Sequence, residues 1–131
     1  MEVKKMYVEY NPNPKGKRVD DCVIRAITKA LGTDWDTAFL SIVMVAFSEK
    51  NMPSVNGIWE QFLINKGFTK NVIIDTCPHC YTVRDFANDH PKGVYILSTG
   101  THVVAVVDGN YYDTWDSGDE IPIYYFERRL D

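Results

Sequence analysis

The run THVVAVVDGNYYDTW, residues 101–115, constrains the fold more than any other part of the chain. Five consecutive aliphatic residues end at Asp-Gly-Asn, and an alternating aromatic segment follows, which reads as a β-hairpin whose turn residues, Gly109 and Asn110, tolerate positive φ. Further strand candidates flank it: NVIID and GVYILST before, IPIYYFE after. Loop length then sets which side chains meet. A three-residue loop puts Val107 opposite Tyr111 and His102 opposite Asp116; a two-residue turn places Asp113 diagonally on the histidine's face.

The first half of the chain has a different period. After a short alternating segment, MYVEY, and the turn-dense loop NPNPKG, the segment CVIRAITKAL puts Val23, Ile27, Ala30 and Leu31 on one face and stops at Gly32. A second helix is expected from Thr33, with Asp36 completing a capping box, and FLSIVMVAF forms its buried face. A third runs from Ser54 to Gly67 with Ile58, Phe62 and Trp59 inward, and a short one is capped by Thr82. Helices first and an antiparallel sheet second predict an α+β fold. A length of 131 residues accommodates one core, so residues 1–131 are read as a single domain.

Composition excludes several classes. A net charge of −4 and a pI near 5.3 leave no Lys/Arg stripe for a nucleic-acid backbone, and the basic cluster KGKR is offset by Asp20 and Asp21. No apolar run is long enough to span a bilayer, and the start MEVKKMYVEY lacks the apolar region of a secretory signal. A cytoplasmic setting follows as the expectation, and the three cysteines are read as reduced thiols. The end ERRLD is read as solvated, and Met6, Met44 and Met52 as core or rim.

Chemistry concentrates at three positions. Cys22 stands in the first turn of a helix, where unpaired N–H groups and the helix dipole favour a thiolate, although cysteine is also a common small buried residue. His102 heads an apolar strand, and the returning strand carries Asp113 and then Asp116. A catalytic imidazole needs a carboxylate or amide on its far nitrogen to fix its tautomer, and adjacent antiparallel strands supply one. Asp116 is the preferred partner and Asp113 the alternative. Trp115 and Trp59 are read as core, and Arg25 as the salt-bridge partner of Asp21.

This order of residues resembles the papain-like cysteine peptidase superfamily. The likeness rests on DC before a helix, HVVAVV as the histidine strand, and NYYDTWDSG as the return strand, with Asp116 and Ser117 where the family has an Asn-Ser pair. The whole chain also resembles short proteins of bacterial and phage genomes that share DCVIRA near the start and YDTWDSG near the end. The resemblance implies a minimal papain-like domain, a peptide or protein substrate, no cofactor, and a Cys22–His102–Asp116 site acting on a peptide, isopeptide or related amide bond. Two departures stand out: Val23 replaces the aromatic residue after the cysteine, and no glutamine lies near Gly16 and Lys17 to serve as oxyanion donor. Asn13, Asn11, or Asp21 together with the Cys22 backbone N–H are the substitutes. The alternative is an inactive papain-like binding or inhibitory module of phage or mobile-element origin.

The segment TCPHCYTV offers a rival. Cys77-Pro78-His79-Cys80 matches the C-x-x-C of thioredoxin-like oxidoreductases, with Pro122 where such folds keep a cis-proline. Cys77 and Cys80 are also weak metal-ligand candidates, with His79 and His90. A lone C-x-x-C is most often a structural loop, then a metal site, and a redox site third.

Overall fold

The computed structural model describes residues 6–128; the segments expected to lack a signal and to form a solvated end lie partly outside these residues. The order of elements is β1 (Tyr7–Glu9), α1 (Cys22–Leu31), α2 (Trp35–Glu49), α3 (Asn56–Asn65), β2 (Phe68–Val72), α4 (Val83–Asp89), β3 (Val94–Ser98), β4 (Val103–Val107), β5 (Asn110–Asp113) and β6 (Tyr124–Arg128). The α+β class holds. The sheet is mixed rather than antiparallel throughout: its order is β1-β5-β4-β3-β6-β2, and β1 runs parallel to β5.

Both faces of the sheet are covered. Ile96, Val103, Ala105 and Phe126 pack with α1, α2 and α3 in one cluster, and Leu97, Val104, Val106 and Tyr111 pack with Val83, Phe86 and Ala87 of α4 in another. The unbroken aliphatic run of β4 reflects this, because successive residues point to opposite faces and both faces exclude water. Strand β6 lies between β3 and β2, and the edges of the sheet are β1 and β2.

Local chemistry moves several boundaries. The cap of α2 is Asp34, whose side chain accepts the Thr37 N–H at 2.7 Å, instead of Thr33. The third helix starts at Asn56, two residues later than expected, and β2 begins at Phe68 ahead of NVIID. Thr82 and Asp85 form the capping box of α4. On α2 only the narrow stripe Ala38, Ile42, Ala46 is buried, so Leu40, Met44 and Phe47 are exposed where a buried face was expected; Met52, read as core or rim, is also exposed.

Two turns place the later functional residues. The β4–β5 turn has two residues, Asp108 (φ 50°) and Gly109 (φ 81°), with Val107 opposite Asn110, so the positive φ falls at 108 and 109 rather than 109 and 110. This pattern is the hairpin turn whose twist matches its strands. After β5, Asp116 Oδ1 accepts the Gly118 N–H at 3.0 Å and bonds the buried Tyr111 hydroxyl. A Cβ on Gly118 would overlap that hydroxyl and stand 2.6 Å from Arg84 Nη2. Arg84 is free to shift its exposed end, but Tyr111 is held in the core. Gly118→Ala is therefore expected to lower stability by about 1–3 kcal/mol in urea unfolding; a change within about 0.5 kcal/mol would show that the loop yields at no cost.

Candidate active site

The N-terminus of α1, the start of β4 and the end of β5 meet at one end of the sheet. With Ala105 opposite Tyr112, the two-residue turn leaves Asp113 diagonal to His102. The loop before β4 fixes the histidine from behind: Thr99 N–H donates to His102 O at 2.9 Å, and His102 N–H donates to Thr99 Oγ1 at 3.0 Å. Asn56, the first residue of α3, donates to Gly100 O at 3.3 Å and ties this loop to the helical layer. Tyr10, the residue after β1, fixes Asp113 on the other side by donating its N–H to the Asp113 carbonyl at 2.8 Å.

His102 Nε2 lies 2.6 Å from Asp113 Oδ2. The carboxylate partner of the imidazole is thus Asp113; the preferred candidate, Asp116, is engaged with Tyr111 and Gly118 and lies 3.6 Å from Arg84. The physical reason is the turn, since one extra loop residue would have exchanged the two aspartates. Asp113 is fully buried and its carboxylate takes three further bonds: Arg25 Nη2 at 2.8 Å and Thr114 N–H at 2.8 Å on Oδ1, and Ser117 Oγ at 2.7 Å on Oδ2. Burial alone would raise its pKa, but the bonds from His102 and Ser117, with the charges of His102 and Arg25, hold it below the usual carboxylate range.

The imidazole is shifted the other way. Burial opposes its charge, yet the bond to Asp113 and the adjacent Cys22 outweigh burial and raise its pKa to about 9. With Nε2 committed to Asp113, Nδ1 is the nitrogen left for Cys22. Trp115 covers the ring at a centroid distance of 5.0 Å while itself half exposed, so it is a wall of the site and not core; Trp59 is core.

Cys22 is the only free thiol among the described residues and is half-buried at the head of α1. It borders a cleft of about 350 Å³ whose other walls include Val23, Phe39, Val43, Pro53 and Val103. The N-cap residue Asp21 makes no capping bond; its carboxylate turns inward to Arg25 and Trp35, and its own N–H is used by Val19 O. Asp21 is thereby removed as an oxyanion donor. Asn11 is spent on Gly16 and Lys17 carbonyls, and Asn13 Oδ1 on Lys15 N–H; neither borders the cleft. The donors that remain are the first-turn N–H groups of α1, carried by Cys22, Val23 and Ile24, all three of which line the cleft.

The C-x-x-C segment lies elsewhere. Cys77 and Cys80 are joined as a disulfide in a turn, with Cα atoms 4.2 Å apart, which corrects the expectation of three reduced thiols. The turn closes through Cys77 N–H to Asp75 Oδ1 at 2.9 Å and His79 N–H to Thr76 O at 3.0 Å. The pair precedes the capped start of α4 instead of opening that helix, and the cis bond of the region is at Pro78, not Pro122. Among the described residues no group of three or more His, Cys, Asp or Glu is arranged to hold a metal. His90 stacks on Phe86, with its Nδ1 against Phe86 O.

Compared with protein-family models, curated proteins and solved structures, the chain matches none of them. No single helix among the described residues is long and apolar enough to cross a membrane. The participation of Arg25 and Ser117 went beyond the sequence reading. Arg25 carried a partial signal, its i,i+4 spacing from Asp21, but its second carboxylate comes from a strand 88 residues away.

The raised histidine pKa makes stability depend on pH. An unfolded His102 titrates near 6.5 and the folded one near 9, so between these values the folded state binds more protons. Stability due to this group is complete below pH 6.5 and is lost as pH rises through 9, with a slope of up to about 1.4 kcal/mol per pH unit. Urea unfolding from pH 6 to 9.5 should show this decline, and His102→Ala should flatten it; an equal slope in the variant would assign the effect to other groups.

Proposed function

We propose that the chain is a cysteine hydrolase of amide bonds in peptides or proteins, with Cys22 as nucleophile, His102 as acid and base, and Asp113 as the group that orients and charges the ring. The observation that carries this reading is the His102 imidazole, bonded through Nε2 to a buried carboxylate and close enough to the free Cys22 thiol at the head of α1 for that thiol to help raise its pKa. A half-buried imidazole kept protonated beside a thiol is the arrangement that thiolate attack on a carbonyl requires.

The chemistry closes with the residues at hand. The Cys22 sulfur adds to the substrate carbonyl, whose oxygen takes the developing negative charge and receives N–H bonds from the first turn of α1. Collapse breaks the C–N bond as His102 delivers its proton to the departing amine, leaving a thioester on Cys22. His102, now neutral, accepts a proton from water; the hydroxide adds to the thioester, and the carboxylic acid leaves as the thiolate and imidazolium return. The cleft reaches Cys22 without including His102 among its walls, and the imidazole serves the leaving group, so the cleft takes the acyl side of the substrate. Its walls are mainly apolar, which favours an apolar residue there. A papain-like topology and a cytosolic location complete the proposal.

A module that binds without turnover is the competing reading, and it requires no His102-dependent reactivity of Cys22. An ordinary thiol with a pKa of about 8.5 is only about 0.3% ionised at pH 6. Iodoacetamide alkylation followed by peptide mass spectrometry should therefore label Cys22 rapidly at pH 6, and His102→Ala should slow it by at least about tenfold. A Cys22 that is sluggish at pH 6 and indifferent to His102 would sink the hydrolase reading in favour of binding.

A further inference from the structure

Arg25 is buried to 5% side-chain exposure and forks between two carboxylates, Nη1 to Asp21 Oδ1 at 2.6 Å and Nη2 to Asp113 Oδ1 at 2.8 Å. Asp21 is equally buried, and Trp35 Nε1 donates to its second oxygen at 2.9 Å. The groups form one chain from the start of α2 through α1 to the end of β5 and the imidazole. We infer that Arg25 is a positioning residue of the active site: by holding Asp113 Oδ1 it reserves Oδ2 for His102, and Asp21 and Trp35 hold Arg25 in turn.

Two arguments favour this over a purely structural brace. Burying two carboxylates and a guanidinium costs desolvation that their attraction barely offsets, and apolar residues of like volume often serve stability as well or better. The division of labour at Asp113 is also directional. Arg25 and the Thr114 N–H take one oxygen, while His102 and Ser117 Oγ take the other. A carboxylate rotated about its terminal bond would lose this division, and the ring would lose its aligned acceptor. The planar fork of arginine spans both acids at once, which a lysine ammonium at the end of its stem does not.

The role serves the hydrolase proposed above, but it is read on the ring itself. Arg25→Lys keeps the charge and removes the fork. We expect the His102 imidazole, followed by NMR from pH 5 to 10.5, to titrate at least one pH unit lower than wild type. Cys22 alkylation at pH 6 should slow by about tenfold in step with it. A folded Arg25→Lys with the wild-type titration would overturn the inference, because a structural brace lowers the unfolding midpoint without moving the ring. Should that variant fail to fold, Asp21→Asn leaves Arg25 and Asp113 in place and loosens only the brace; a smaller shift in the same direction supports the role, and none overturns it. If the titration moves but no amide is ever cleaved, the hydrolase reading fails and the positioning role stands. If Cys22 reactivity depends on His102 while the ring ignores Arg25, the hydrolase reading stands and the positioning role falls.

Discussion

The Asp113 carboxylate is the interaction on which the site depends. It sits at the end of a short strand, fully buried, and it holds together a helix residue, a loop hydroxyl, a backbone N–H and the imidazole through four bonds. An isolated carboxylate so placed would be driven to its neutral form. Surrounded by donors and two cations it stays ionised, and the same bonds that satisfy it also fix the direction in which it faces. The hairpin turn, the parallel β1 and the loop after β5 all serve this position: the first sets its register, the second its backbone, and the third supplies Ser117.

Helix α1 shows the matching economy on the Cys22 side. Its N-cap is an aspartate, a residue type that ordinarily satisfies the first-turn N–H groups through its own side chain. Here that side chain is drawn to Arg25 and Trp35, and the N–H groups are left to the cleft. One choice therefore has two effects. It braces the guanidinium that braces Asp113, and it leaves uncapped donors beside Cys22 at the cleft.

Much of this was legible in the sequence because it was local. The change from helical period to strand period gave the α+β class, and Cys22, the helix start capped by Thr82 and the hairpin that joins β4 to β5 lie where their immediate neighbours put them. Two aspartates three residues apart are different. Only the turn length chooses between them, and DGN is compatible with either length until the positive φ at Asp108 is known. The exposed ridge of α2 and the mixed sheet were missed for a related reason: periodicity says which residues share a face, but the partner of that face is a tertiary fact. The C-x-x-C pair misled through composition, since an odd cysteine count says nothing about two residues brought together by one turn.

The competing readings of the site make different use of what is buried. A binding module presents its chemistry to the partner, and the groups a partner can touch here are the cleft walls, the half-exposed Trp115 and the rim acid Asp20. Asp113, Arg25 and Asp21, at 0–5% side-chain exposure, are invisible to any partner, and their desolvation cost returns nothing to an interface. They act on the outside only through His102, whose charge they set and whose ring they aim. Electrostatic groups arranged before the substrate arrives are what lowers a barrier without reorganisation at the moment of reaction. The place of the charges, more than the presence of a cysteine, is therefore what favours turnover over binding.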